Sequence, residues 1–86
     1  MKYILETVYG GCQTPIEEII ELLKDNFAID KDETNTYITI NTLEDLMNLI
    51  KIIESNNINI HEDRAIVLGH NKQGIPVITV YDFYID

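Results

Sequence analysis

Apolar and polar residues recur along this chain in two rhythms, one with the period of a helix and one with the period of a strand. From Thr42 onward the rhythm is helical. Leu43, Leu46, Met47, Leu49, Ile50 and Ile53 fall within one arc of about 160° when the chain turns about 100° per residue. Glu44, Asn48, Lys51 and Ser55 fill the opposite side. Thr42 is a preferred N-cap type, with Asp45 three residues on, and Asn56-Asn57 stops the helix. Just before it, Tyr37-Ile-Thr-Ile-Asn41 alternates as a strand does.

The same two rhythms divide the rest of the chain. Lys2 to Tyr9 reads as a strand, with Tyr3, Leu5, Thr7 and Tyr9 on one face and Ile4, Glu6 and Val8 on the other. Gly10-Gly11 ends it. Thr14 starts a first helix on three agreeing signals: its own N-cap chemistry, Pro15 at the first helical position, and Glu17 completing a capping box. Ile16, Ile19, Ile20, Leu22, Leu23 and Phe27 share its apolar arc. Glu17, Glu18, Glu21, Lys24 and Asp25 share the wet one. Phe27-Ala28-Ile29 reads as a short strand, and Asp30 to Asn35 (DKDETN) as the hairpin turn leading into Tyr37–Ile40.

After the second helix, Ile58 to Ile60 is a strand or its lead-in, and His61 to Arg64 is a charged turn. Ala65 to Gly69 is a strand, His70 to Gly74 a loop, and Ile75 to Ile85 a long final strand. That last strand is apolar on both faces: Val77, Thr79, Tyr81, Phe83 and Ile85 on one, Ile78, Val80 and Tyr84 on the other with Asp82. Such a strand is central or reaches into a partner. Pro76 stands near its start, where a missing N–H donor is tolerated.

The resulting order is β-α-β-β-α-β-β over residues 1–86, read as a single α+β domain. Its first six elements match the ferredoxin-like order, β-α-β-β-α-β. The expected architecture is a two-layer sandwich: an antiparallel sheet with both helices on one face, and an extra C-terminal strand extending or edging the sheet.

Composition narrows the function classes. The chain carries 15 acidic and 6 basic residues, a formal net charge of −9. Direct contact with nucleic acid or an anionic membrane needs a basic footprint, so both are set aside. Basic protein surfaces and cations remain. One cysteine, Cys12, cannot close an internal disulfide. With no secretion signal and no long apolar run, a cytoplasmic protein is expected.

Several stretches carry the residue types of a site, and each has a plainer reading. Gly10-Gly11-Cys12-Gln13 precedes a helix start, where backbone donors could hold an anion. Its spacing fits neither the P-loop nor the dinucleotide fingerprint, so it reads as a turn. Cys12 has no base placed beside it by the sequence, so it is not read as a nucleophile. Asp30 to Asn35 resembles the start of a calcium loop. It has Asn35 where the loop needs glycine and Asn41 where it needs glutamate, so it reads as a solvated turn. His61, Glu62, Asp63 and His70 lack a metal-ligand spacing. Tyr81, Phe83 and Tyr84 could stack bases, but Asp82 and Asp86 flank them instead of lysine or arginine. No catalytic residue, metal or cofactor is assigned, and the protein is not read as an enzyme.

The remaining feature is acidic. Residues 14–33 hold seven acids, Glu17, Glu18, Glu21, Asp25, Asp30, Asp32 and Glu33, against Lys24 and Lys31, so −5 of the −9 lies there. Helix residues four apart are separated by about 6 Å along the axis. That is the same order as phosphate spacing along a nucleic-acid strand. These seven carboxylates are the candidate partner-binding residues, suited to a basic groove that normally holds DNA or RNA.

The Ile-Thr-Ile-Asn-Thr-Leu-Glu-Asp-Leu step (residues 38–46) and the Ile-Thr-Val-Tyr-Asp-Phe-Tyr-Ile-Asp ending (residues 78–86) resemble small acidic proteins carried by phages and prophages. The likeness covers roughly the second half of the chain and transfers no functional residue. Anti-CRISPR proteins of that kind are similar in size and charge, and they block a nucleic-acid groove on a host defence complex. The resemblance therefore implies an inhibitor from a mobile element whose partner is a basic nucleic-acid-binding host protein. The alternative from the residues alone is a small ligand-binding or oligomerisation module on a ferredoxin-like sheet, with a homodimer formed through the C-terminal strand.

Overall fold

Seven elements follow one another in the order expected from the hydrophobic pattern: β1 (Lys2–Val8), α1 (Ile16–Leu23), β2 (Ile29–Lys31), β3 (Thr36–Thr39), α2 (Leu43–Asn56), β4 (Ile66–His70) and β5 (Pro76–Tyr81). The computed structural model describes residues 1–8, 16–56 and 66–81. The Gly10-Gly11 turn, the Thr14-Pro15 cap, Ile58–Ile60, the charged turn at His61–Arg64 and the last four residues of the expected final strand lie outside the described residues. No helix among the described residues is long and apolar enough to cross a membrane.

The strands form one five-stranded mixed sheet in the order β2-β3-β1-β5-β4. β2 pairs β3, β3 pairs β1, and β4 pairs β5, all antiparallel, while β1 and β5 run parallel. This corrects the expectation of a purely antiparallel sheet. It also corrects the place given to the last strand, which does not extend or edge the sheet. β5 inserts between β1 and β4, and β4 becomes the edge. The physical reason lies in β5 itself: Val77, Ile78, Thr79 and Val80 are all buried. A run apolar on both faces loses most by being left at an edge.

Register assigns the core to one face of the sheet. Tyr3 stands beside Ile38, Leu5 beside Ile78, Ile29 beside Ile38, and Ile66 beside Val80. Leu5, Ile38, Ile78 and Val80 form a single cluster with Ile19 and Leu23 of α1 and Leu49 and Ile53 of α2. Both helices therefore pack on that face. Phe27, expected on the apolar arc of α1, lies past the helix end but still joins the cluster. Its N–H and that of Asn26 both donate to the Leu23 carbonyl at 3.0 Å, closing the helix with a tightened turn.

α2 begins as its sequence requires. The Asp45 N–H donates to Thr42 Oγ1 at 3.0 Å. In return the Asp45 carboxylate accepts from the Asn41 and Thr42 N–H groups at 3.1 and 3.3 Å. This is a capping box with aspartate in the glutamate position. The apolar arc of α2 is rotated from the expected one. Leu43 and Met47 are 72% and 62% exposed, whereas Ile52 is half-buried. Leu49 and Ile53 meet the sheet squarely. At about 100° per residue, Leu43 and Met47 stand roughly 100° and 140° from their midpoint, and Ile52 stands roughly 80° away.

Candidate functional site

α1 is the element that presents acid. Ile19 and Leu23 anchor it in the core, so Glu17, Glu18 and Glu21 are turned to solvent, with Lys24 and Asp25 in the turn that follows. The arc from Glu17 through Glu21 and Asp25 to Glu18 is continuous, with Lys24 at its border. Lys24 Nζ pairs with Glu21 Oε2 at 2.8 Å. The hydrogen bond and charge of Glu21 raise the lysine pKa above its ordinary value, and Asp25 adds to the shift. Glu17, Glu18 and Asp25 make no salt bridge among the described residues.

The other three acids are placed by β2 and the turn after it. Asp30 lies within β2 and not in the turn. Its neighbour Ile29 packs on the core, so strand alternation points Asp30 to the helix-free face of the sheet. There Lys2 Nζ meets it at 2.9 Å.

Asp32 organises the turn. Its Oδ1 accepts from the Asn35 N–H at 2.6 Å and the Thr34 N–H at 2.8 Å, and its Oδ2 accepts from the Tyr37 hydroxyl at 3.0 Å. These bonds hold its carboxyl below the usual carboxylate range, the Asn35 N–H contributing most, then the Thr34 N–H, then Tyr37. Glu33 is exposed in the same turn. The calcium-loop resemblance thus has a local explanation: the Asp32 oxygens serve the turn's own donors.

All seven candidate carboxylates are exposed, but they do not form one row. Glu17, Glu18, Glu21 and Asp25 belong to the helix layer. Asp30 is on the opposite side of the sheet, and Asp32 bonds to Tyr37, which pairs with Ile4 and so also faces away from the helices. Two of the seven, Glu21 and Asp30, are engaged by lysines. The outward acid on the helix is therefore a four-residue patch, with Lys24 beside it.

Among the other expected features, His70 ends β4 and is exposed, its Nδ1 3.1 Å from the Asn71 carbonyl oxygen. Cys12, His61, Glu62, Asp63, Phe83 and Tyr84 lie outside the described residues. Among the described residues no group of three or more His, Cys, Asp or Glu side chains is arranged to hold a metal. The described part of the C-terminal strand has both edges occupied, by β1 and by β4, and offers no free edge for a homodimer.

Two further surface features are set by the packing. One is the exposed apolar pair Leu43 and Met47, one helical turn apart on α2. The other is an open groove of about 360 Å³ on the helix-free face, lined by Ile4, Glu6, Val67, Gly69, Val77 and Thr79 among others. Within it the Thr79 hydroxyl donates to Glu6 Oε1 at 3.2 Å. The signal for the first was the width of the α2 apolar stripe, wider than a helix on a sheet can bury. The groove depends on which strands become neighbours, and no local pattern announces that.

Compared with known proteins, the chain matches no family model, and neither a curated protein nor a solved structure is significantly similar to it.

Proposed function

We propose that this is a non-enzymatic binding protein from a mobile element, acting as an anti-CRISPR-like inhibitor that occupies a basic nucleic-acid-binding site on a host defence protein. One observation carries the reading: Glu17, Glu18, Glu21 and Asp25 stand outward together on the exposed side of α1 and its C-terminal turn, in a chain of net charge −9. Compared with the seven-residue set, the contact narrows to these four, with Glu33 at the sheet edge as a lesser contributor. Attraction between this patch and a basic groove speeds encounter, and salt screens it.

The test is capture from host lysate on the immobilised protein, repeated with Glu17→Lys, Glu18→Lys and Glu21→Lys combined. The expected result is a captured protein that excess DNA or RNA displaces and that the triple variant no longer retains. Capture that is indifferent both to charge reversal and to competing nucleic acid overturns the reading.

The second reading, a small ligand-binding or oligomerisation module on a ferredoxin-related sheet, is favoured by the groove over Ile4, Val77 and Thr79. It is distinguished by binding that survives charge reversal on α1 and is lost when Val77 is enlarged to Phe.

A further inference from the structure

The two edges of the sheet are built differently. At one edge β2 is three residues long, with Asp30 and Lys31 on it and Lys2 paired to Asp30 across β3. Shortness and charge are the means by which proteins keep an edge from recruiting another strand. At the other edge β4 is Ile66-Val67-Leu68-Gly69-His70. It has no carboxylate, no lysine or arginine, and no proline. All five of its residues keep unbroken register with β5, so no bulge turns the edge aside. Among the described residues it has a neighbour on one side only. Leu68, at its centre, is 48% exposed.

We infer that β4 pairs with β4 of a second copy, antiparallel across a two-fold axis, joining two five-stranded sheets into one. The sequence of β4 is complementary to itself in that register. With Leu68 opposite Leu68 of the second copy, Val67 faces Gly69 and Ile66 faces His70. Like charges never meet, and each Val67 side chain stands over a glycine whose added Cβ would meet nothing within 4 Å. The two Leu68 side chains cover each other on the helix side of the sheet. Isologous contacts of this kind close after two copies and do not propagate.

Charge favours a second copy at this edge over the other one. Asp30, Asp32 and Glu33 are in and beside β2, four strand spacings or roughly 19 Å from β4. Two copies joined through β4 keep these acidic turns at the far ends of the joint sheet. The residual repulsion between two chains of −9 is long-range and screened by salt, so pairing tightens as ionic strength rises. This inference rests on the sheet edge alone and is independent of any role for α1.

The test is sedimentation equilibrium of the full chain at low and high salt, with two variants. Wild type is expected to dimerise reversibly, more tightly at high salt. Leu68→Lys, which sets two ammonium groups against each other at the axis, is expected to weaken the dimer by about tenfold or more while leaving the circular dichroism of the monomer unchanged. A second variant reads geometry and not affinity. In a Cys12→Ser background, Leu68→Cys is expected to form a disulfide-linked dimer on mild oxidation, because residues opposite each other in an antiparallel pair are within bridging distance. Glu33→Cys in the same background, at the far edge, is not. A chain that remains monomeric to about 1 mM at high salt, a dimer unaffected by Leu68→Lys, or equal cross-linking at positions 33 and 68 each overturns the proposal. So does a monomer that takes up only an unrelated extended peptide along β4.

Discussion

Asp32 does at the scale of one residue what a longer loop would otherwise need several residues to do. Three donors converge on its carboxylate, two from the backbone of its own turn and one from Tyr37 on the returning strand. Because these bonds favour the ionised form, its pKa is lower folded than unfolded. The stability it contributes is therefore present above the ordinary carboxylate value of 3.8 and is lost as pH falls through the folded value. Asp32→Asn is expected to lower the melting temperature at neutral pH, with the gap from wild type closing as both are acidified. Thermal melts across pH 7 to 2 check it. Gly74 makes a second point at this scale. Its φ of +80° lies in the left-handed region, and a Cβ there would meet nothing within 4 Å. Gly74→Ala should therefore cost about 1–2 kcal/mol through backbone conformation alone, measurable by urea denaturation as a lower midpoint with an unchanged slope.

At the scale of elements, α2 shows that an apolar stripe and a buried face are not the same thing. Leu43 and Met47 belong to the stripe and remain exposed, while Ile52, outside the expected arc, is half-buried. Leu43→Ser and Met47→Ser should each change stability by less than about 0.5 kcal/mol. By contrast, Leu49→Ala or Ile78→Ala should cost about 2–5 kcal/mol, since each removes a side chain with no exposed surface from the centre of the core. Equilibrium unfolding of the four variants separates the two classes. Thr42→Ala, which removes one half of the capping box, should cost about 1 kcal/mol. The same helix was legible at its start because a cap depends on residues within one turn of each other, here Asn41, Thr42 and Asp45. Which side it buries depends on the crossing of helix and sheet, which no local window contains.

At the scale of the whole molecule, the fold sets how the charge is distributed. The acids of α1 and those of the β2 turn are close in sequence, yet a sheet lies between them. A row of seven became a patch of four on one side, with two acids on the other side serving structural bonds. If the helix patch steers association, the association rate with a captured basic partner should fall steeply between low and physiological salt while the dissociation rate changes little. Stopped-flow mixing across a salt series measures both. A rate that is flat with salt removes the helix patch from the mechanism.

What the amino-acid order determined by itself was local: two helices and five strands, the capping of α2 at Thr42, a hairpin turn within the DKDETN stretch though not its start at Asp30, and the solvent exposure of the seven acids. Each of these follows from periodicity or from contacts between near neighbours, where the chain has few alternatives. The pairing of strands was left to the tertiary structure. The double apolarity of Val77 to Val80 pointed to a central strand, but only the packed sheet set it parallel to β1, displaced β4 to the edge, and divided the carboxylates between two sides. Those outcomes depend on which distant segments bury the most surface together, and that sum is taken over the whole core at once.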